Sequence, residues 1–184
     1  MKRTLIFVCF FVFANPKVEA QQTPQFSQNM FNKLANNPGF AGSMEAICAT
    51  ALHRQQWIGF GDGRPVTTNL SVDAGIPAIY GGLGLNIVNE TIGQYDNLGL
   101  QLSYAYRTEL GNGQVGTGIS FGMYQSSLDG SSLNPANSGD PALPTADAQG
   151  SALDFGFGIY YNNEDAYIGL SSSNITEPTI EWEN

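Results

Sequence analysis

The sequence predicts an all-β chain, an antiparallel transmembrane β-barrel meander of about seven strands. Segments that alternate apolar residues with small or polar ones recur along the chain, and clusters of Gly, Asn, Asp and Pro separate them. Downstream of a short apolar stretch at the N-terminus, no run reaches the roughly 18 apolar residues that a spanning helix needs. Any membrane span must therefore be made of strands that close into a barrel.

The predicted strands follow one another at steady spacing. They cover residues 46–57, 66–74, 81–90, 97–110, 114–126, 152–161 and 166–171. The fourth is typical, because Leu98, Leu100 and Leu102 alternate with Gly99 and Gln101. Successive side chains of a strand point to opposite faces of the sheet, so each strand has one apolar face and one small, polar face.

The two faces are expected to meet different surroundings. The apolar face is assigned to lipid, and its residues are Leu83, Leu85, Leu98, Leu100, Leu102, Ile119, Phe121, Phe155 and Phe157. The other face is assigned to the lumen, where charged and amide side chains escape hydrocarbon; its residues are Asp73, Gln101, Arg107 and Asp154. A soluble β-sandwich alternates in the same way and remains an alternative. The glycines of the small face count against it, since glycine weakens a strand that faces water.

Residues 1–20 have the three regions of a secretory signal peptide. Lys2 and Arg3 precede an apolar core at 5–13, and Val18-Glu19-Ala20 predicts cleavage after Ala20. We expect an irregular periplasmic segment at 21–44, with a short helix near 27–34, and the strands of an incomplete barrel at 45–184.

The net charge and the cysteine content argue against a nucleic-acid partner and against an internal disulfide. The chain has 7 Lys and Arg against 16 Asp and Glu. Loss of residues 1–20 would remove three of the former and one of the latter, which leaves a net charge of −11. That charge argues against a nucleic-acid partner. Only Cys48 would remain, so no internal disulfide is expected.

No catalytic or cofactor site emerges from the sequence. His53 is the sole histidine, which argues against a His-rich metal site, and no nucleophile motif accompanies it. The G-x-G-x-x-G match at 111–116 opens a strand instead of a helix, so it predicts a hairpin turn. We therefore expect no enzyme activity, no cofactor, no metal and no small-molecule substrate.

The connections suggest two different rims. Residues 58–65, 91–96 and 127–150 give longer loops, whereas 75–80, 111–113 and 162–165 give short turns. Short turns are typically periplasmic in outer-membrane barrels. Aromatic residues lie near both ends of the strands, as interfacial belts would: Tyr80, Tyr104, Tyr106, Tyr160, Tyr161 and Tyr167 by the short turns, and Trp57, Phe60, Tyr95 and Tyr124 by the longer loops.

Several short motifs in a fixed order resemble the PorP/SprF family of outer-membrane proteins of the Bacteroidetes type IX secretion and gliding apparatus. They are Pro24-Gln25-Phe26-Ser27-Gln28, Met30-Phe31-Asn32, Asn37-Pro38-Gly39-Phe40-Ala41-Gly42-Ser43, Arg54-Gln55-Gln56-Trp57, Gly82-Leu83-Gly84-Leu85, Ile92-Gly93, Leu102-Ser103-Tyr104-Ala105-Tyr106-Arg107, Phe121-Gly122 and Tyr167-Ile168-Gly169-Leu170-Ser171.

The resemblance implies a non-enzymatic barrel in the cell outer membrane. It also implies partners, either exported adhesins that the barrel anchors or presents, or periplasmic proteins of the secretion machinery. Members of the family are longer than this chain, so the resemblance implies an N-terminal fragment, the first part of a larger barrel. Two alternatives stay open, a passive porin or solute channel and a soluble extracytoplasmic β-sandwich that binds a ligand.

Overall fold

The computed structural model describes residues 28–176, except 132 and 134–145, together with residue 180. The predicted signal peptide, its cleavage site and residues 21–27 lie outside the described residues. Seven strands form one antiparallel sheet in sequence order, curled into a half-barrel. They are β1 (Ile47–Gln55), β2 (Val66–Ile76), β3 (Gly81–Ile92), β4 (Tyr95–Leu110), β5 (Gly113–Leu128), β6 (Ala148–Asn162) and β7 (Tyr167–Ser172).

The all-β meander predicted from the alternating pattern is confirmed, and every predicted strand is present. Among the described residues, no helix has the length and apolar character needed to cross a membrane. One predicted connection is wrong. The loop expected at 91–96 is a two-residue turn, because Thr91 pairs with Asp96 and Ile92 with Tyr95. Gly93, with φ of 59°, supplies the left-handed backbone that such a tight turn requires.

The strands end at two rims. The near rim is the one where β1 begins, and its connections are residues 77–80, 111–112 and 163–166. The far rim carries residues 56–65 and 93–94, and it is the rim where β5 ends and β6 begins. The predicted hairpin at Gly111 is present: β4 ends at Leu110, β5 begins at Gly113, and Gly111 has φ of 64°.

Burial in the sheet is reversed relative to a water-soluble protein. The outer face pairs Ile119 with Phe157 and Phe121 with Phe155, and all four side chains are exposed. The inner face instead buries polar side chains, namely Thr67, Asn69, Ser71, Asp73, Asn86, Glu90, Ser103, Ser120 and Ser126. Exposed apolar surface of this extent marks a lipid or protein contact.

Residues 28–44, here called the N-terminal segment, lie on the inner face. The sequence predicts an irregular segment with one short helix. The structure has three short turns of helix instead: 3-10 turns at Asn29–Phe31 and Pro38–Phe40, and α1 at Lys33–Asn36. Two asparagines set these turns. Asn32 caps α1 by accepting from the Ala35 amide, and the Asn37 side chain accepts from the Gly39 amide at 2.8 Å.

Candidate functional site on the inner face

The N-terminal segment crosses the inner face and returns. Asn32 forms a hydrogen bond with Asn69 on β2. Asn37 donates to the Ile159 carbonyl on β6 at 3.0 Å, toward the opposite edge of the sheet. The chain then returns to β2. There the Gly42 amide donates to the Asp73 carboxylate at 2.9 Å. The inner face is therefore a surface that binds a peptide segment.

Glycines of the strands allow this segment to approach the sheet backbone to backbone. A Cβ at Gly118 would lie 2.4 Å from the Gly39 nitrogen, and one at Gly116 would lie 2.3 Å from the Gly39 carbonyl oxygen. At Gly82 a Cβ would lie 2.5 Å from the Gly42 Cα. Real Cβ atoms do not come so close to backbone, so the small face predicted from the sequence is occupied by protein at these positions.

Four polar side chains join the start of the segment to β2 and β3. The Asn32 amide donates to the Asn69 side chain, which in turn donates to the Asn86 oxygen at 2.6 Å. Ser71 donates to the Asn32 oxygen at 3.0 Å. Asn69 and Asn32 are almost fully buried, at 0 and 1 % exposed. Buried amides cost free energy unless they are paired, so this network fixes the position of the segment.

Arg107 on β4 joins the N-terminal segment to β5 and β6, close to the near rim. Its Nη1 donates to the Gly39 carbonyl at 3.2 Å, and its Nη2 donates to Asn162 at 2.9 Å. Nε and Nη2 both donate to Gln114 at 3.3 Å, and Gln114 donates to Glu45 at 2.6 Å. The planar guanidinium has five donors, which suits it to hold several acceptors at once.

Lys33 lies against an aromatic cluster of Phe40, Tyr160 and Tyr167, and the sequence pattern predicts the two tyrosines to be part of a membrane belt. Its ammonium lies 3.6 Å from the Tyr167 ring centroid and donates to the Tyr160 hydroxyl at 3.3 Å. Tyr160 is only 4 % exposed and packs edge-on against Phe40 at 5.3 Å. The interpretation of Tyr160 and Tyr167 as belt residues is therefore wrong. Both lie on the inner face, as does Tyr124, because they share the parity of the inner glycines.

The four residues assigned to the lumen all lie on the inner face, but in two places. Asp73 and Arg107 contact the N-terminal segment. Gln101 and Asp154 line a cavity of about 210 Å³ farther toward the far rim. There Gln101 donates to Ser120 at 3.2 Å, and Asp154 accepts from the Asn174 amide at 2.9 Å.

The nine residues assigned to lipid lie on the outer face. Seven are exposed, and Leu98 and Leu100 are half-buried.

Sequence reasoning missed the residues that dock the N-terminal segment, chiefly Asn32, Lys33 and Asn37. Their only signal was the Asn-Pro-Gly turn at 37–39 opposite glycine-rich strands. In the part of the chain that the structure describes, no cluster of three or more His, Cys, Asp or Glu could hold a metal ion.

Replacing Arg107 should loosen the near-rim end of the segment. We expect Arg107→Leu to lower the free energy of unfolding by about 1–2 kcal/mol, because three acceptors lose a charged donor while water can reach part of the site. Arg107→Lys should lose less, since its single ammonium keeps the charge but cannot hold all three acceptors. Denaturant titration of the folded protein in lipid vesicles measures both. A Leu variant as stable as the wild type would contradict this role for Arg107.

A curled antiparallel half-barrel with apolar side chains outside and polar side chains inside defines the class of all-β membrane-barrel proteins. Residues 18–184 match the family model described as type IX secretion system membrane protein PorP/SprF, and the chain belongs to this family. It is thus a membrane component of the type IX secretion system. No curated protein and no solved structure matches the chain.

Proposed function

We propose that this protein is a non-enzymatic β-barrel component of the outer membrane that anchors or presents surface proteins exported by the type IX secretion or gliding machinery. The observation that carries the proposal is the family match over residues 18–184, joined to an outer face of exposed apolar side chains. The predicted signal peptide at 1–20 supplies the route of export from the cytoplasm.

The outer face supports a lipid environment. Leu102 is 60 % exposed and Ile119 is 61 % exposed, near the middle of the two longest strands. Leu85, Phe121 and Phe155 extend the same surface across β3, β5 and β6. Hydrocarbon would cover this surface, whereas water would leave it as an aggregation hazard. The matching partner is therefore the lipid of the outer membrane.

Aromatic side chains at the two rims support a position across the membrane, and the lengths of the connections support an orientation. Trp57 and Phe60 at the far rim form an edge-on pair at 5.8 Å and are both exposed, and Tyr80 and Tyr106 are exposed toward the near rim. Exposed aromatic rings at two levels, of which those of Trp57, Tyr80 and Tyr106 are amphipathic, suit the two membrane–water interfaces. The near rim, with its short connections, then faces the periplasm and its secretion-machinery proteins. The far rim, where the connection that is longest in sequence leaves β5 and enters β6, faces outside and the exported partner.

A deletion strain tests the function. The gene is removed and restored in the same strain, and surface proteins are released by protease and counted by mass spectrometry, alongside those in the medium. We expect one or a few exported proteins to leave the cell surface in the deletion strain and return on complementation. Unrelated outer-membrane proteins in the same samples are the control.

Two results would contradict the proposal. Unchanged surface proteins in the deletion strain would remove the anchoring or presenting role. A loss of small-solute uptake with an intact set of surface proteins would favour the passive porin instead.

A further inference from the structure

We propose that the N-terminal segment is an internal plug that closes the barrel interior on the near-rim side and leaves a blind vestibule open toward the far rim. This goes beyond the proposed function, because it concerns passage through the barrel instead of the partners at its rims. A closed interior would also argue against the passive porin, because solutes could not pass through it.

The segment has its own packed contacts with the sheet. Leu34 is 2 % exposed and Ala41 is 0 % exposed, and both pack in one cluster with Ala105 of β4. The Leu34 side chain fills the space above Gly84, where a Cβ would lie 2.6 Å from its Cδ1. A chain that merely passed through the interior would not exclude solvent from Leu34, Ala41 and Ala105.

The anchors of the segment are spread over most of the sheet's width. Asn37 donates to carbonyls on β6 and β7, at 3.0 and 3.4 Å. The Asn36 carbonyl accepts from Ser171 of β7 at 2.7 Å. At the other side, Asp73 and Asn69 of β2 hold Gly42 and Asn32. The segment therefore spans the inner face from β2 to β7, as a plug must.

The segment also separates two cavities. One, of about 520 Å³, opens at the near rim, where Gly42, Glu45 and Arg107 contribute to its wall. The other, of about 210 Å³, has Ala35 and Asn36 in its wall and extends along β4–β6. The second cavity is the proposed vestibule.

The space above the glycines differs between the part of the inner face that the N-terminal segment covers and the part that it leaves open. At Gly118 a Cβ would collide with Gly39 and Pro38, both in the segment. At Gly122, four residues along the same strand and face, the nearest atoms lie 3.6–3.9 Å away and belong to Leu100 and Asp154 of the neighbouring strands. Side chains could extend from Gly122 into the vestibule but not from Gly118.

A disulfide tether tests the docking of the plug. The Leu34 Cγ lies 3.3 Å from the Cβ position of residue 84. A cysteine sulfur at position 34 would thus come within bonding reach of a second sulfur carried by residue 84, given an S–S bond of about 2.0 Å. We would combine Leu34→Cys with Gly84→Cys in a Cys48→Ser background and express the whole gene product in its native outer membrane.

The matched control pair is Leu34→Cys with Gly122→Cys, which has a second cysteine on the same face but away from the segment. We expect the first pair to cross-link in most assembled molecules under mild oxidation, at a yield several-fold above the control. Equal yields for the two pairs in assembled protein would overturn the docking of the segment.

A flux measurement tests closure. Into the tethered variant we would add Asn37→Ala and Arg107→Leu, which remove anchors at opposite ends of the segment. In vesicles that contain this protein, we expect uptake of a small sugar to rise several-fold when the disulfide is reduced and to fall again when it is oxidised. Equal uptake in both redox states would overturn the plug, whether that uptake is high or low. Single-anchor variants carrying the tether provide the same comparison if the double-anchor variant does not assemble.

Discussion

Gly118→Leu should prevent the N-terminal segment from seating and should cost about 3 kcal/mol of the free energy of unfolding, the upper end of the usual cost of overpacking. The first added carbon already lies 2.4 Å from the Gly39 nitrogen and from the Pro38 carbonyl carbon. Both are backbone atoms, so no rotation of a side chain can make room. The segment must shift, and its hydrogen bonds to β6 and β7 shift with it.

Gly122→Leu is the matched control. It changes the same residue type on the same strand and the same face, but its nearest atoms lie at ordinary contact distance and the cavity along β4–β6 lies beside it. We expect it to cost less than about 1 kcal/mol, as a surface substitution would. Denaturant titration in lipid vesicles gives both values. Equal losses for the two variants would contradict the seating of the segment on Gly118.

The alternating pattern predicted the strands because the period of a strand is local information. Residues two apart report the same face whatever covers that face, so β3 to β6 could be read from their own residues. The extra length of β4 and β5 could not. Tyr95 and Asp96 belong to β4 because they pair with Leu128 and Ser127, and no apolar alternation marks those positions.

The path of the N-terminal segment was beyond the reach of the sequence pattern. Asn37 bonds to Leu170, and the two residues are 133 positions apart. The glycines of the inner face indicated a close approach of something, but not whether water, a ligand or the chain itself would fill it. Tyr160 is a different case. It shares the parity of Gly156 and Gly158, so period-two counting already places it on the inner face.

The packing of the N-terminal segment explains two features of the inner face, its glycines and its buried amides. Glycines that would weaken a solvent-facing strand become necessary when a second piece of backbone lies on them, and buried amides such as Asn69 become stabilising when that backbone and its side chains pair with them. The same arrangement leaves the outer face free of any requirement except to be apolar.

Leu102→Arg should cost about 2–4 kcal/mol in a bilayer, the cost of an arginine on the lipid face near mid-depth. Leu102 is the eighth of the sixteen residues of β4, and it stands opposite Leu85 and Phe121 on the outer face. Because its side chain is already 60 % exposed, an arginine there would cost only about 0.5 kcal/mol or less if the face met water. The size of the loss thus reports the medium around the outer face.

Gln101→Arg is the control for Leu102→Arg, since it puts the same side chain one residue away on the inner face, beside the cavity along β4–β6. We expect a clearly smaller loss there, because the interior is polar and has room. Unfolding free energies of both variants in lipid vesicles, measured by denaturant titration, decide the matter. A loss at residue 102 no larger than at residue 101 would mean that the exposed leucines and phenylalanines of β3 to β6 do not face hydrocarbon, and the proposed position in the outer membrane would fall with that result.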